Sequence, residues 1–282
     1  MKISLLFRRM LPPALANLLR AQRERIALRG LEEENLEVSR LSKLDRGDVD
    51  KALHDRSAAS AWEEFSRRLD QQDIVTHAGG VNPGDRRAIF HMIHHFRPKR
   101  VLEVGTHIGA STICIAGALD SVSDGTGGEP GSVTTVDVID VNDSVEKPWL
   151  NSGSSISPRM LLESMGVKDR VEFVCSSSLE FLSRCTESFD FIFLDGDHHA
   201  KTVYQEIPLA CARLKDAGMI LLHDFYPGAK PLWRDRKVLP GPYLAVDRHM
   251  RSGSGLRVFP MGELPWPTKQ HSRASSLALL GR

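Results

Sequence analysis

Val101-Leu102-Glu103-Val104-Gly105-Thr106-His107-Ile108-Gly109-Ala110-Ser111 is the stretch whose reading decides the fold. It reads as a strand, a glycine turn and a helix. Val101, Leu102 and Val104 suit a buried parallel strand, which is apolar on both faces. Gly105 and Gly109 bracket a tight loop where backbone comes close to a ligand. Ser111 and Thr112 are placed to cap the apolar helix that follows, through Leu119. The spacing Glu-x-Gly-x-x-x-Gly-x-Ser is not the dinucleotide fingerprint, and it lacks the Gly-Lys-Ser/Thr of a phosphate loop. A carboxylate at the strand end beside a glycine turn suits a cationic or amine-bearing ligand.

Working outward, apolar runs predict further strands at 132–138, 171–174, 189–195, 219–222, 256–259 and 275–280. Helical patterns fall at 85–96, 158–165, 179–184, 203–214 and 243–251. Upstream, 14–45 and 48–70 read as two helices, the first with a narrow apolar stripe that packs on a neighbour or a second subunit, or else forms a solvated arm. Alternating strands and helices predict an α/β fold with a mostly parallel sheet. In such a sheet ligands bind at the carboxyl ends of the strands. Glu103, Asp137, Asp195 and Asp224 all fall at predicted strand ends. Asp137 lies where nucleoside-binding sheets accept hydrogen bonds from ribose hydroxyls, with Asp140 as runner-up.

Asp195 and Asp224 end neighbouring strands. Two carboxylates held close repel unless a proton or a cation lies between them, and a hard divalent ion with oxygen ligands suits the gap. His198 follows Asp195 by three residues and titrates near neutral pH, so it can accept a proton. His223 could add a nitrogen ligand, although magnesium prefers oxygen. His91 and His95, four apart on one helix, form a weaker metal pair than a polar helix face, since no third ligand is evident nearby.

Charged residues make up 26% of the 282 and hydrophobic ones 41%, as in an ordinary globular protein. A formal net charge of +1 gives no general nucleic-acid footprint. The four cysteines, Cys114, Cys175, Cys185 and Cys211, form no C-x-x-C and read as thiols in a reducing compartment. No run of apolar residues is long enough to span a membrane. Arg8-Arg9 and Pro12-Pro13 interrupt the apolar core a signal peptide needs, so a cytoplasmic location is expected.

The glycine turn resembles motif I of the class I S-adenosylmethionine-dependent methyltransferases. The block from Phe189 to Asp224, with Leu194-Asp195-Gly196-Asp197-His198 and the strand ending in His223-Asp224, resembles the small-molecule and sugar O-methyltransferase branch, whose core is like that of catechol O-methyltransferase. The lead-in Gly80-Val81-Asn82-Pro83-Gly84-Asp85 resembles a loop that closes over the cofactor in that branch. The resemblance covers Gly80 to Gly281 and implies a doubly wound, seven-stranded, Rossmann-like sheet. It divides the chain into an N-terminal helical extension, 1–75, and a methyltransferase domain, 76–282. It implies S-adenosyl-L-methionine as cofactor, held by Glu103, Gly105, Thr106, Gly109, Ser111, Asp137, Ser178 and Asp195. Asp195 and His198 match an Asp-x-x-His pair that supplies a metal ligand and the base, which implies His198 and Asp195 as catalytic residues. Mg2+ or Mn2+ would sit among Asp195, Asp224 and His223.

One departure stands out. The sugar branch carries an acid before the final Asp and the catechol branch an Asn after it, whereas this chain has His223 and Phe225. The expected partners are a small-molecule or sugar acceptor and further copies of the chain through the N-terminal helices; neither nucleic acid nor membrane is expected. Trp149, Tyr226, Trp233 and Tyr243 are expected near the acceptor. Two other readings stay open: a nitrogen- or protein-directed methyltransferase, and a non-catalytic assembly module. The missing Asn/Asp-Pro-Pro-Tyr motif weighs against amide methylation, and the intact Glu103, Asp137, Asp195 and His198 set weighs against the module.

Overall fold

A computed structural model describes residues 12–72, 80–122 and 131–282. In chain order the elements are α1 (Pro13–Arg29), α2 (Arg46–Leu53), α3 (Arg56–Leu69), α4 (Pro83–Phe96), β1 (Arg100–Val104), α5 (Thr112–Ser121) and β2 (Ser132–Asp137). They continue with α6 (Pro148–Asn151), α7 (Pro158–Ser164), β3 (Val171–Cys175), α8 (Ser178–Arg184), β4 (Phe189–Leu194), α9 (Ala200–Arg213) and β5 (Leu214–Leu222). The chain then forms α10 (Gly241–Arg251), β6 (Arg257–Pro260) and β7 (Ala278–Gly281). The strands join in one seven-stranded sheet of order β3-β2-β1-β4-β5-β7-β6. β3, β2, β1, β4 and β5 run parallel, and β7 runs antiparallel to both β5 and β6. Central strands buried on both faces explain the unbroken apolar runs: Val101, Leu102, Phe191, Ile192 and Phe193 are all enclosed. One side of the sheet packs on α4 and α5, the other on α9 and α10, giving two core clusters. This is the α/β, Rossmann-like architecture expected.

The expected helix over 14–45 ends at Arg29. Gly30, a poor helix former, stands at its C-cap. The following chain is extended instead, burying Leu36 and Leu41. Ser42 N donates to Gly218 O at 2.9 Å and Gly218 N to Arg40 O at 3.1 Å, which ties this segment to β5. The expected helix over 48–70 is two helices. Asp55 breaks it by accepting from Ser57 N at 2.8 Å and Ala58 N at 3.3 Å, capping α3. The expected domain boundary at residue 75 lies outside the described residues. The N-terminal helices are nonetheless part of the core: Val49, Ala52, Leu53, Phe65 and Leu69 join one cluster, and Leu28, Leu36 and Leu41 the other.

α4 departs from the expected polar face. It lies between the sheet and α2–α3, so His91 is fully enclosed, 4.6 Å from the Trp266 ring. Burial, with Arg87 nearby, lowers its pKa to about 4. His95 turns the other way, with Nδ1 2.6 Å from Asp55 Oδ2. The two histidines have separate partners and do not form a metal pair.

Candidate active site

The strand order reverses at β1 and β4, and a cavity of about 600 Å3 opens at their carboxyl ends. Gly105, Thr106, Ser111, Asp137, Ser178, Asp195 and His198 line it, with Gly80 and Val81 of the lead-in. Gly105 has φ +100°, and a Cβ there would stand 2.3 Å from the Asp195 carbonyl oxygen. Only glycine lets the turns after β1 and β4 lie side by side. Gly109, at φ +77°, holds the second bend, where a Cβ would come within 3.0 Å of Pro158 Cβ. The Asp137 carboxylate stands beside this loop: Oδ2 accepts from His107 N at 2.9 Å and Oδ1 from Ile139 N at 3.3 Å.

Glu103, expected to hold the cofactor, is fully buried and does not line the cavity. Its Oε2 accepts from Thr112 Oγ1 at 2.6 Å and Thr135 Oγ1 at 2.7 Å, and Thr106 Oγ1 lies 2.6 Å from Thr135 Oγ1. Glu103 thus ties β1, β2 and the first turn of α5 together from beneath. Burial raises its pKa to about 7, against the pull of the Ser111, Thr112 and Thr135 hydroxyls. Ser111 makes no capping bond to α5. Thr112 is no cap either, since its hydroxyl is spent on Glu103. At α8 the cap is Ser177, whose Oγ accepts from Glu180 N at 3.3 Å, leaving Ser178 on the cavity wall.

Acids and histidines converge beyond the β4 tip. One ligand atom each from Asp195, His198 and Asp224 lie within 4.8 Å of one another. His198 Nε2 is 3.5 Å from Asp224 Oδ2. Asp224 has φ +51°, a left-handed conformation that is uncommon off glycine and recurs at functional sites. Burial raises the Asp224 pKa, while His223 and His198 oppose that shift. His223 does not join the group, contrary to its expected role as a ligand. Its Nδ1 lies 2.8 Å from Asp195 Oδ1, and its Nε2 faces Ser276 Oγ at 3.3 Å and Asp85 Oδ2 at 3.5 Å. Both ring nitrogens are occupied inside the protein. Burial alone would lower its pKa, but Asp195, Asp224 and Asp85 outweigh it and hold His223 well above its ordinary value. His223 is therefore a buried bridge behind Asp195, linking it to Asp85.

Asp85, enclosed completely beside His223, is a member of the site that sequence reasoning missed. Its lead-in was singled out as a loop, but nothing in the pattern joined Asp85 to a strand tip so far along the chain. Asp197 serves the turn: its carboxylate accepts from His199 N at 3.1 Å and Thr202 Oγ1 at 2.6 Å, and it lies 2.5 Å from His199 Nδ1. The four aromatics expected at the acceptor do not line the cavity. Tyr226 and Trp233 pack on each other, Tyr243 packs on Phe225, and Trp149 is buried.

Residues 102–225 match the family described as a methyltransferase domain. An O-methyltransferase, hkm8, from Aspergillus hancockii is 26% identical over 174 residues, 61% of this chain and 61% of that protein. A caffeoyl-CoA O-methyltransferase from Stellaria longipes is 25% identical over 167 residues, 57% of this chain and 58% of its own length. The chain thus matches about three fifths of the length of these curated relatives. Among solved structures, cofactor-bound Rv0187 from MTB superposes with a TM-score of 0.50 at 20% identity, covering 85% of this chain and 98% of that one, a likeness of fold. The sheet order and the glycine turn agree with the matched family: over residues 102–225 the chain is similar to a methyltransferase domain.

Proposed function

We propose that this chain transfers a methyl group from S-adenosylmethionine to a hydroxyl of a small molecule or sugar. The observation that carries the reading is the Asp195, His198 and Asp224 triangle beside the glycine-walled cavity. The two similar proteins named above are both O-methyltransferases. The cavity's volume and glycine walls fit a nucleoside-sized ligand. S-Adenosylmethionine supplies an electrophilic methyl group when bound. Gly105 and Gly109 let backbone approach it, Asp137 accepts from ribose hydroxyls, and Ser178 stands at the adenine end. His198 takes the acceptor's proton, and Asp224 at 3.5 Å orients the ring and stabilises the imidazolium.

A second reading rests on the same triangle. Asp195, His198 and Asp224 would hold Mg2+ or Mn2+, since two carboxylates and an imidazole suit such ions. A bound ion lowers the pKa of a hydroxyl it ligates, and His198 is then a ligand rather than the base. His198→Ala should lower turnover under either reading, by about 10²–10⁴-fold if His198 is the base, with S-adenosylhomocysteine affinity nearly unchanged. Assays on a panel of catechol and sugar acceptors measure this. Activity lost in EDTA and restored by Mg2+ or Mn2+ supports the ion; full activity in EDTA supports His198 alone. Wild-type turnover in His198→Ala contradicts both.

The chain is also proposed to self-associate through α1, whose Leu15, Leu18, Leu19 and Ile26 face solvent. Among the described residues no helix is long and apolar enough to cross a membrane. The four unpaired cysteines support the cytoplasm as its location.

A further inference from the structure

The turn that carries His198 runs directly into α9, and that helix starts without a cap of its own. His199 occupies the N-cap position and makes no capping bond, and the first turn of α9 holds no acid. The acceptor comes from the far end of the chain. Ala200 N donates to Glu24 Oε2 at 2.8 Å. Glu24 is the only acidic residue in α1, among four arginines, and its carboxylate turns inward. A carboxylate at a helix N-terminus both accepts an unpaired N–H and opposes the positive end of the helix dipole.

α1 is fixed on either side of this contact. Asn17 Nδ2 donates to Arg236 O at 2.8 Å. At the other end Arg248 donates to the carbonyls of Leu28 and, at 2.7 Å, of Leu31. Gly241 packs closely on the same turn: a Cβ there would stand 2.0 Å from the His198 carbonyl oxygen and 2.7 Å from Ala200 N. The backbone from His198 to Ala200 is therefore in contact with both a carboxylate of α1 and a glycine of α10.

We propose that Glu24 is a positioning residue for His198, making α1 a working part of the active site rather than an appendage. Its carboxylate fixes the Ala200 amide, the amide fixes the turn, and the turn sets where the His198 ring stands relative to Asp224. The catalytic meaning of this placement rests on the proposed role of His198. The placement itself is testable without an acceptor.

The test uses full-length protein with histidines labelled at 13Cε1, bound to S-adenosylhomocysteine, the His198 resonance being assigned by its loss in His198→Ala. Glu24→Ala should move the His198 resonance and speed exchange of the Ala200 amide by about tenfold or more. The His91 and His249 resonances and the S-adenosylhomocysteine affinity should stay at wild-type values, which marks a local change in a folded protein. Glu24→Gln keeps an oxygen acceptor and should restore the wild-type resonance. An unmoved His198 resonance in Glu24→Ala, or an unchanged Ala200 exchange rate, overturns the proposal. A variant that loses S-adenosylhomocysteine binding together with the His91 and His249 resonances also overturns it, because Glu24 would then be a general stabilising residue. Failure of the proposed chemistry would appear elsewhere, as full turnover in His198→Ala.

Discussion

His223 and Asp224 are consecutive and lie 3.7 Å apart, yet their other partners differ. His223 goes inward, between Asp195 and Asp85, while Asp224 takes φ +51° and turns towards His198. Sequence alone placed both at the metal, since a strand-end pattern does not say which residue turns out. That Gly105, Asp137 and Asp195 meet at one cavity was legible, because their positions depend on local spacing and on the strand-end rule. Glu103 was legible as a motif residue but not as a buried one, and its burial gives a pH test. Its pKa rises from 4.5 to about 7 on folding. The folded chain thus retains a proton that the unfolded chain has released in that window, so stability falls as pH rises from 4.5 to 7. Glu103→Gln can keep its carbonyl oxygen towards Thr112 and Thr135 and cannot ionise. Urea unfolding at pH 5 and pH 8 should show the wild type losing roughly 2.5 kcal/mol relative to Glu103→Gln across that interval. A stability difference between the two proteins that is the same at both pH values would contradict this placement of Glu103.

The strands were the most legible elements, because central parallel strands bury both faces and leave apolar runs such as Phe191-Ile192-Phe193. The helices upstream were less so. Their ends depend on Gly30 and on the Asp55 cap, which an apolar repeat alone does not register. What α1 packs against was not legible, since Glu24 meets a partner 176 residues away. α1 buries Ala21 and Leu28 on its inner face and leaves Leu18 and Ile26 each 58% exposed on its outer one. That outer stripe is where self-association belongs. Deleting the helix would confuse the test by removing core residues as well. Changing Leu18 and Leu19 together to Glu spares the inner face and should convert an oligomer to a monomer at micromolar concentration. Light scattering checks this: a wild-type protein already monomeric, or a variant with unchanged mass, would remove α1 as the interface.

At the scale of the whole molecule, a sheet that reverses its order at β1 and β4 brings residues from distant parts of the chain to one cavity. Asp85 and Glu24 come from opposite ends of the N-terminal region and reach the site through α4 and α1. The fold class was readable because repeated local patterns specify it. The outer ring of the site was not, because each of its contacts joins residues with no sequence relation. The central claim is that the Gly105–Gly109 turn and Asp137 build an S-adenosylmethionine pocket. Isothermal titration with S-adenosylhomocysteine tests it most directly. Wild-type protein should bind at a single site, Gly105→Val should bind none because its side chain meets the Asp195 backbone, and Asp137→Ala should bind about tenfold or more weakly. A wild-type protein that gives no binding, or both variants binding with wild-type affinity, would contradict it.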